Sequence, residues 1–172
     1  MAVQTGRSVS KWSKFQIDDS AGTLRDIPIN SINGIALPME EVDVTAFQDA
    51  VKSALQGQPD FTLTIGGPWD TTAAQAASAS GAAAALSGSH TVLAPLLAAA
   101  IAGTDLPLTF GFYQGVRHYW ETGEPCFGLS GTATNGCRVF EYSFDPGAGT
   151  YSAKFRMSPG SAVPAWGTAA FS

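Results

Sequence analysis

Two histidines, two cysteines and two adjacent carboxylate pairs are the residues from which this chain could build chemistry. A nucleophilic triad would need His90 or His118, and no serine, Ser89 included, sits in the Gly-x-Ser-x-Gly turn that presents an activated hydroxyl. His90 reads instead as a capping or hydrogen-bonding group at the start of an apolar segment, and His118 as part of an aromatic group with Tyr113, Tyr119 and Trp120. Cys126 and Cys137 are close enough in sequence to pair, but they lack the repeated spacing of a disulfide framework or a zinc site, so free, reduced thiols are expected. Asp18 with Asp19 and Glu40 with Glu41 supply carboxylates. Neighbours on a strand point to opposite faces, so neither pair can span a cleft as acid/base hydrolysis requires. Gly66 and Gly67 are followed by Pro68 and Trp69, not by the Lys and Ser/Thr of a phosphate loop. The reading therefore assigns no catalytic, cofactor-binding or metal-binding residue, and expects no enzyme.

The composition agrees with a structural role. The 172 residues suit one domain, and apolar residues at 45% are enough for a sizeable core. Charged residues are only 13%, well below the roughly 25% usual for soluble domains. The surface must then be Gly, Ser, Thr and Ala, and burial against copies of the same chain would keep it from aggregating at random. A net charge of -5 without a cluster of Lys and Arg argues against a protein that grips nucleic acid. Arg7, Lys11 and Lys14 around Trp12 read as an exposed start of the chain. Met1 to Ser10 lacks the apolar run of a signal peptide, and Val92 to Ala102 is too short to cross a bilayer, so cytoplasmic synthesis without membrane insertion is expected.

Periodicity supplies the elements that would carry these residues. Phe15 and Ile17 alternate with Lys14 and Gln16 in a strand with one wet face, ended by a turn at Ser20, Ala21 and Gly22. Leu24 to Ile32 is extended but interrupted by Pro28, which suits an edge or a kink. In Glu40 to Val44, Glu41 and Asp43 share one face of a strand and Val42 and Val44 the other. Local signals predict a short helix over 46–56, because Thr45 and Gln48 resemble a capping box, Phe47, Val51 and Leu55 recur at helical spacing, and Gly57 follows. Phe61 to Ile65 predicts a strand stopping at Gly66, and Pro95 the first turn of a helix through about Ala102. Leu106, Leu108, Phe110 and Phe112 form a strand, then an irregular stretch runs to Cys137. The last pattern is a hairpin: Phe140, Tyr142 and Phe144, a turn over Asp145 to Gly149, then Tyr151, Ala153, Phe155 and Met157. Seven or so strands with one or two short helices make the fold mainly β, a sandwich or barrel with a flanking helix.

The ordered series Ser13-Lys14-Phe15-Gln16-Ile17-Asp18-Asp19-Ser20-Ala21-Gly22-Thr23-Leu24-Arg25-Asp26-Ile27 and Asn30-Ser31-Ile32-Asn33-Gly34 resembles the start of the major tail proteins of long, non-contractile-tailed bacteriophages. Glu41-Val42-Asp43-Val44-Thr45-Ala46-Phe47, Phe61-Thr62-Leu63 to Trp69-Asp70, Ser89-His90-Thr91-Val92-Leu93-Ala94-Pro95-Leu96 and Pro164-Ala165-Trp166-Gly167-Thr168 continue the resemblance in family order. It implies a β-sandwich subunit, six copies per ring, inner strands joined across subunits into one β-barrel, and rings stacked into a tail tube. The implied partners are other copies of the chain, a tape-measure protein in the lumen and a tail terminator. DNA would pass without specific binding, and carboxylates facing the lumen would repel its phosphates. The implied location is the virion tail, assembled in the host cytoplasm.

The resemblance also implies that 46–59 is an arm reaching the neighbouring ring, which makes Phe47, Val51 and Leu55 candidate assembly residues. The same residues could instead form a helix on their own core. The whole of 1–172 reads as one domain, with an Ala-rich insertion at 73–88 that is not a feature of the family. The alternative is a β-sandwich binding module, a capsid decoration protein or host-glycan adhesin, with Tyr113, Tyr119 and Trp120 as a sugar platform. An enzyme would be revived by a pocket holding His118 beside a carboxylate.

Overall fold

The structure, a computed structural model, describes residues 10–35, 38–45, 54–76, 86–116 and 118–171. It is mainly β, with antiparallel sheets and one α-helix among the described residues. Strands β1 (Ser13–Asp18), β2 (Leu24–Ile27), β7 (Phe110–Gln114), β8 (Cys126–Leu129) and β11 (Ala165–Gly167) form a five-stranded sheet in the order β11-β8-β7-β1-β2. Strands β3 (Ser31–Asn33), β6 (Thr62–Pro68), β9 (Cys137–Asp145) and β10 (Thr150–Met157) form a four-stranded sheet in the order β3-β6-β10-β9. Strands β4 (Met39–Asp43) and β5 (Ala54–Pro59) pair only with each other.

Alternation dictates the packing. Phe15 and Ile17 of β1, Phe110 of β7 and Phe127 of β8 point inward from one sheet and are buried against Leu63, Ile65, Val139, Ala153 and Phe155 of the other. Phe15 meets Phe155 across the gap at 6.5 Å, and Phe61 lies 5.7 Å from Phe110 and 6.0 Å from Phe127, so aromatic rings join the two sheets. Burying each such ring contributes about 1.5–3 kcal/mol. Helix α1 (Ser89–Ala102) closes one side by packing on β9 and reaching β2, the edge strands of the two sheets, through Val92, Leu93 and Leu96.

Several local readings hold, among them the mainly β fold, β1, the Gly22 turn and the β9–β10 hairpin with its Asp145 to Gly149 turn. Others are overturned. The helix expected over 46–56 is contradicted at its end, where Ala54–Pro59 is a strand and Gly57 lies inside it; residues 46–53, with Phe47 and Val51, lie outside the described residues. Cross-strand bonding to β4 overrides the helical spacing there. The strand expected to stop at Gly66 runs on to Pro68, because the glycines let neighbouring backbone approach: a Cβ on Gly67 would sit 2.4 Å from the Pro28 carbonyl oxygen. Pro95 lies inside α1, which begins a turn and a half earlier. Strand β7 starts at Phe110, later than the Leu106 expected, and β8 occupies part of the stretch read as irregular. A register shift beside Lys154 and Phe155 turns Phe140 out of the alternation, leaving it 59% exposed. The flank of the Ala-rich segment is anchored: the Gln75 N–H donates to Ser87 Oγ at 2.8 Å, and Arg25 donates to the Gln75 carbonyl. Residues 77–85 lie outside the described residues.

Candidate assembly surface

The residues with chemical potential are used to hold the fold. Asp18 Oδ2 accepts the Thr109 N–H at 2.7 Å, while Asp19 ties the β1–β2 turn by accepting from the Ala21 and Thr23 N–H groups and pairing with Arg25 at 2.8 Å. Desolvation raises the Asp19 carboxyl, but these donors outweigh it and hold the pKa below its ordinary value. His90, on the first turn of α1, shares a 3.0 Å hydrogen bond with Tyr142 Oη and packs on Trp69, whose indole stacks on Phe144 at 4.6 Å. Cys126 and Cys137 are free and buried, and burial raises both thiol pKa values.

The loop from Val116 to Glu124 is organised by a carboxylate that sequence reasoning passed over. Glu124 is fully buried, accepts the Val116 and Glu121 N–H groups at 3.3 and 3.0 Å, and lies 3.4 Å from His118 Nε2, while its carbonyl accepts the Trp120 indole N–H at 2.9 Å. His118 thus stands beside a carboxylate, the arrangement that would favour an enzyme. That carboxylate is occupied by backbone donors, and a groove of about 860 Å³ beside β1 and β2 is lined by neither residue. A buried Glu with backbone donors nearby has no sequence signature; only its sequence proximity to His118 and Trp120 hinted at it.

The proposed sugar platform is not assembled. Tyr113 and Trp120 are buried, 4.8 Å apart in an edge-on pair that covers the outer face of the five-stranded sheet with Cys126 and Phe171, and only Tyr119 is exposed. Lys14 Nζ lies 4.9 Å over the Tyr113 ring, and burial lowers its pKa. Burial likewise pushes the Tyr113 hydroxyl up to about 12. The supposedly wet face of β1 is therefore covered: Gln16 is buried and donates to the equally buried Asp26.

What the protein does expose is the β4–β5 pair. Val42 and Leu55 face one another in register and are 45% and 61% exposed, with Met39 and Val44 exposed beside them and Glu41 and Asp43 also at the surface. Of the candidate assembly residues, Leu55 is placed here. A two-stranded pair is marginal alone in water, and apolar side chains on it offer a partner a ready contact.

No family model matches the sequence, and no curated protein matches it. The fold is nonetheless shared with chains of solved assemblies. A chain of the PVC sheath–tube complex of an extracellular contractile injection system, in its extended state, is similar at TM-score 0.56 and 9% identity over 94% of this chain and 92% of that one. A chain of the six-fold symmetrised anti-feeding prophage baseplate gives 0.54 and 10% over 95% and 97%. A chain of the anti-feeding prophage tube-terminating cap gives 0.60 and 10%, covering 98% of this chain and 95% of that one, so nearly the whole chain has a fold found in these assemblies.

Proposed function

We propose that this chain is the tail-tube subunit of a bacteriophage with a long, non-contractile tail, and that it assembles without catalysis into six-membered rings that stack around a channel for genome delivery. The observation that carries this reading is the β4–β5 pair, a projecting element bound to neither main sheet and exposing Met39, Val42, Val44 and Leu55. Such an element is the form expected of an arm that finds its partner on the next ring. The fold likeness to chains of sheath–tube and tube-cap assemblies supports the same conclusion, and the six-fold symmetry of one of those assemblies is in keeping with six-membered rings. Those assemblies are contractile; a tube works with or without a surrounding sheath, and the resemblance of the opening residues favours the form without one. A tape-measure protein, a terminator and transiting DNA are the partners this role requires.

Electron microscopy of the purified protein over a concentration series, with light scattering, tests the reading. Hollow, striated tubes or six-membered rings are expected. Closed assemblies of another symmetry, or subunits that stay single even when seeded with tail tips, would overturn it.

A further inference from the structure

The two ends of the sandwich are closed unequally. A single row of paired residues, Ile27, Phe15, Phe112, Phe127 and Trp166, crosses the five-stranded sheet from β2 to β11 on the side that faces the core. At the β2 end, where α1 lies across the edge strands, Ile27 is buried. At the β11 end Trp166 packs on Phe127 at 5.2 Å yet stays 62% exposed, with Val163 exposed near it in the chain. The facing sheet is one strand narrower, and no described segment covers the indole.

The helix that closes the other end carries a second uncovered apolar surface. Val92, Leu93 and Leu96 are buried against the strands, while Pro95, Ala98, Ile101 and Ala102 recur along the exposed side, and Leu106 follows just past the end. Ile101 is 81% exposed and Leu106 68%. Four strand spacings separate β2 from β11, about 19 Å, so these are two patches at opposite ends and not one.

The charge pattern singles out the same two places. The longest stretches of the chain without Asp, Glu, Lys or Arg are 71–104, which contains α1, and 157–172, which contains β11. Asp105, the next charge after α1, is paired with Arg138 through both oxygens at 3.0 Å. Copies of a protein with net charge -5 repel one another, and the repulsion is least where two charge-free surfaces meet. A tryptophan on one surface and a shallow aliphatic surface on the other is the pairing from which buried contacts draw most of their energy.

We propose that the β11 end of one copy seats on α1 of the next around the ring, with Trp166 packed on Pro95, Ala98, Ile101 and Ala102; the inference rests on the tail-tube reading and names its ring contact. Two different patches at opposite ends make the contact head-to-tail, the kind that closes rings. The neighbour's helix then does for the β11 end what the chain's own helix does for the β2 end.

Bridging with a short bis-maleimide during assembly tests the contact. Ala98→Cys/Ala165→Cys subunits should give a ladder of linked chains that ends at six, while neither single variant gives dimers and buried Cys126 and Cys137 stay silent. Dimers from a single variant, a ladder running past six, or intact tubes without a ladder would overturn the contact and leave the tube standing. In the last case, labelling of both cysteines on intact tubes by a protein-sized maleimide would assign the two faces to a different partner. Failure of the wild type to form tubes or rings would overturn the tail-tube reading itself. Trp166→Ala should raise the concentration needed for tube growth about tenfold or more. Ile101→Ser, at a site too exposed to unsettle the subunit, should act in the same direction with an unchanged urea midpoint. Wild-type growth by both variants would also sink the proposal.

Discussion

The sandwich body and the β4–β5 pair use apolar residues in opposite ways. In the body, Phe15, Phe110 and Phe155 are wholly buried and join two sheets, whereas in the pair Val42 and Leu55 sit opposite one another with much of their surface in water. The body closes a core within the single chain, and the pair has no core of its own, although the body too exposes Ile101, Leu106, Phe140 and Trp166. On the proposed function, the difference separates residues that make the subunit from residues that make the assembly, and substitutions can be arranged to test that separation, beginning with the largest effect on folding.

Phe155→Ala removes a ring at the centre of the core and should cost about 3–5 kcal/mol, read as a lower urea midpoint, with tube yield falling only because less subunit is folded. Glu124→Gln leaves one of the Val116 and Glu121 N–H groups facing an amide donor, so a loss of about 1–3 kcal/mol is expected. The Trp120 fluorescence should shift as its loop loosens, and an unshifted spectrum with unchanged stability would mean the carboxylate does not organise the loop.

Asp26 gives a smaller effect that depends on pH. Its burial raises the carboxyl pKa above the ordinary value, although the Gln16 hydrogen bond and the nearby Lys14 oppose the rise. The folded chain therefore holds this proton more tightly than the unfolded chain does. The group's stabilising contribution is full below the ordinary aspartate pKa and is lost as pH rises through the raised value. Asp26→Asn keeps an oxygen for Gln16 and should remove that loss, so the variant gains on the wild type from acid to neutral pH in urea melts; parallel curves would contradict this.

The smallest effect on folding is expected from Leu55→Asp. Stability should stay within about 0.5 kcal/mol of wild type, yet tubes should disappear in the electron microscope. Intact tubes would show that the pair is not the arm and would erase the distinction between body and pair.

Much of the body was legible in advance because alternation is a local record of a two-faced environment. The Phe15 and Ile17 strand and the Phe140 to Met157 hairpin, though not the facing of Phe140 itself, were found this way, and the short apolar runs between turn residues indicated the sandwich. Reading failed where distant partners decide. Leu55 had helical spacing but takes its conformation from bonding to β4, and β8 was missed because Gly128 breaks the pattern of Cys126 to Leu129, a place where a Cβ would sit 2.2 Å from the Phe110 carbonyl oxygen. The candidate assembly surface was only partly visible: Val42 and Val44 alternate with Glu41 and Asp43 as in a strand with one buried face, and alternation does not reveal that both faces are exposed.

The sequence by itself determined a charge-poor, mainly β subunit with few residues fit for chemistry, because composition and period are properties of the chain alone. Only the tertiary structure decided which polar residues are covered, and that Tyr113 and Trp120 are core. Burial depends on which segments fold back over a strand, and loops that do so carry no signal at the residues they cover.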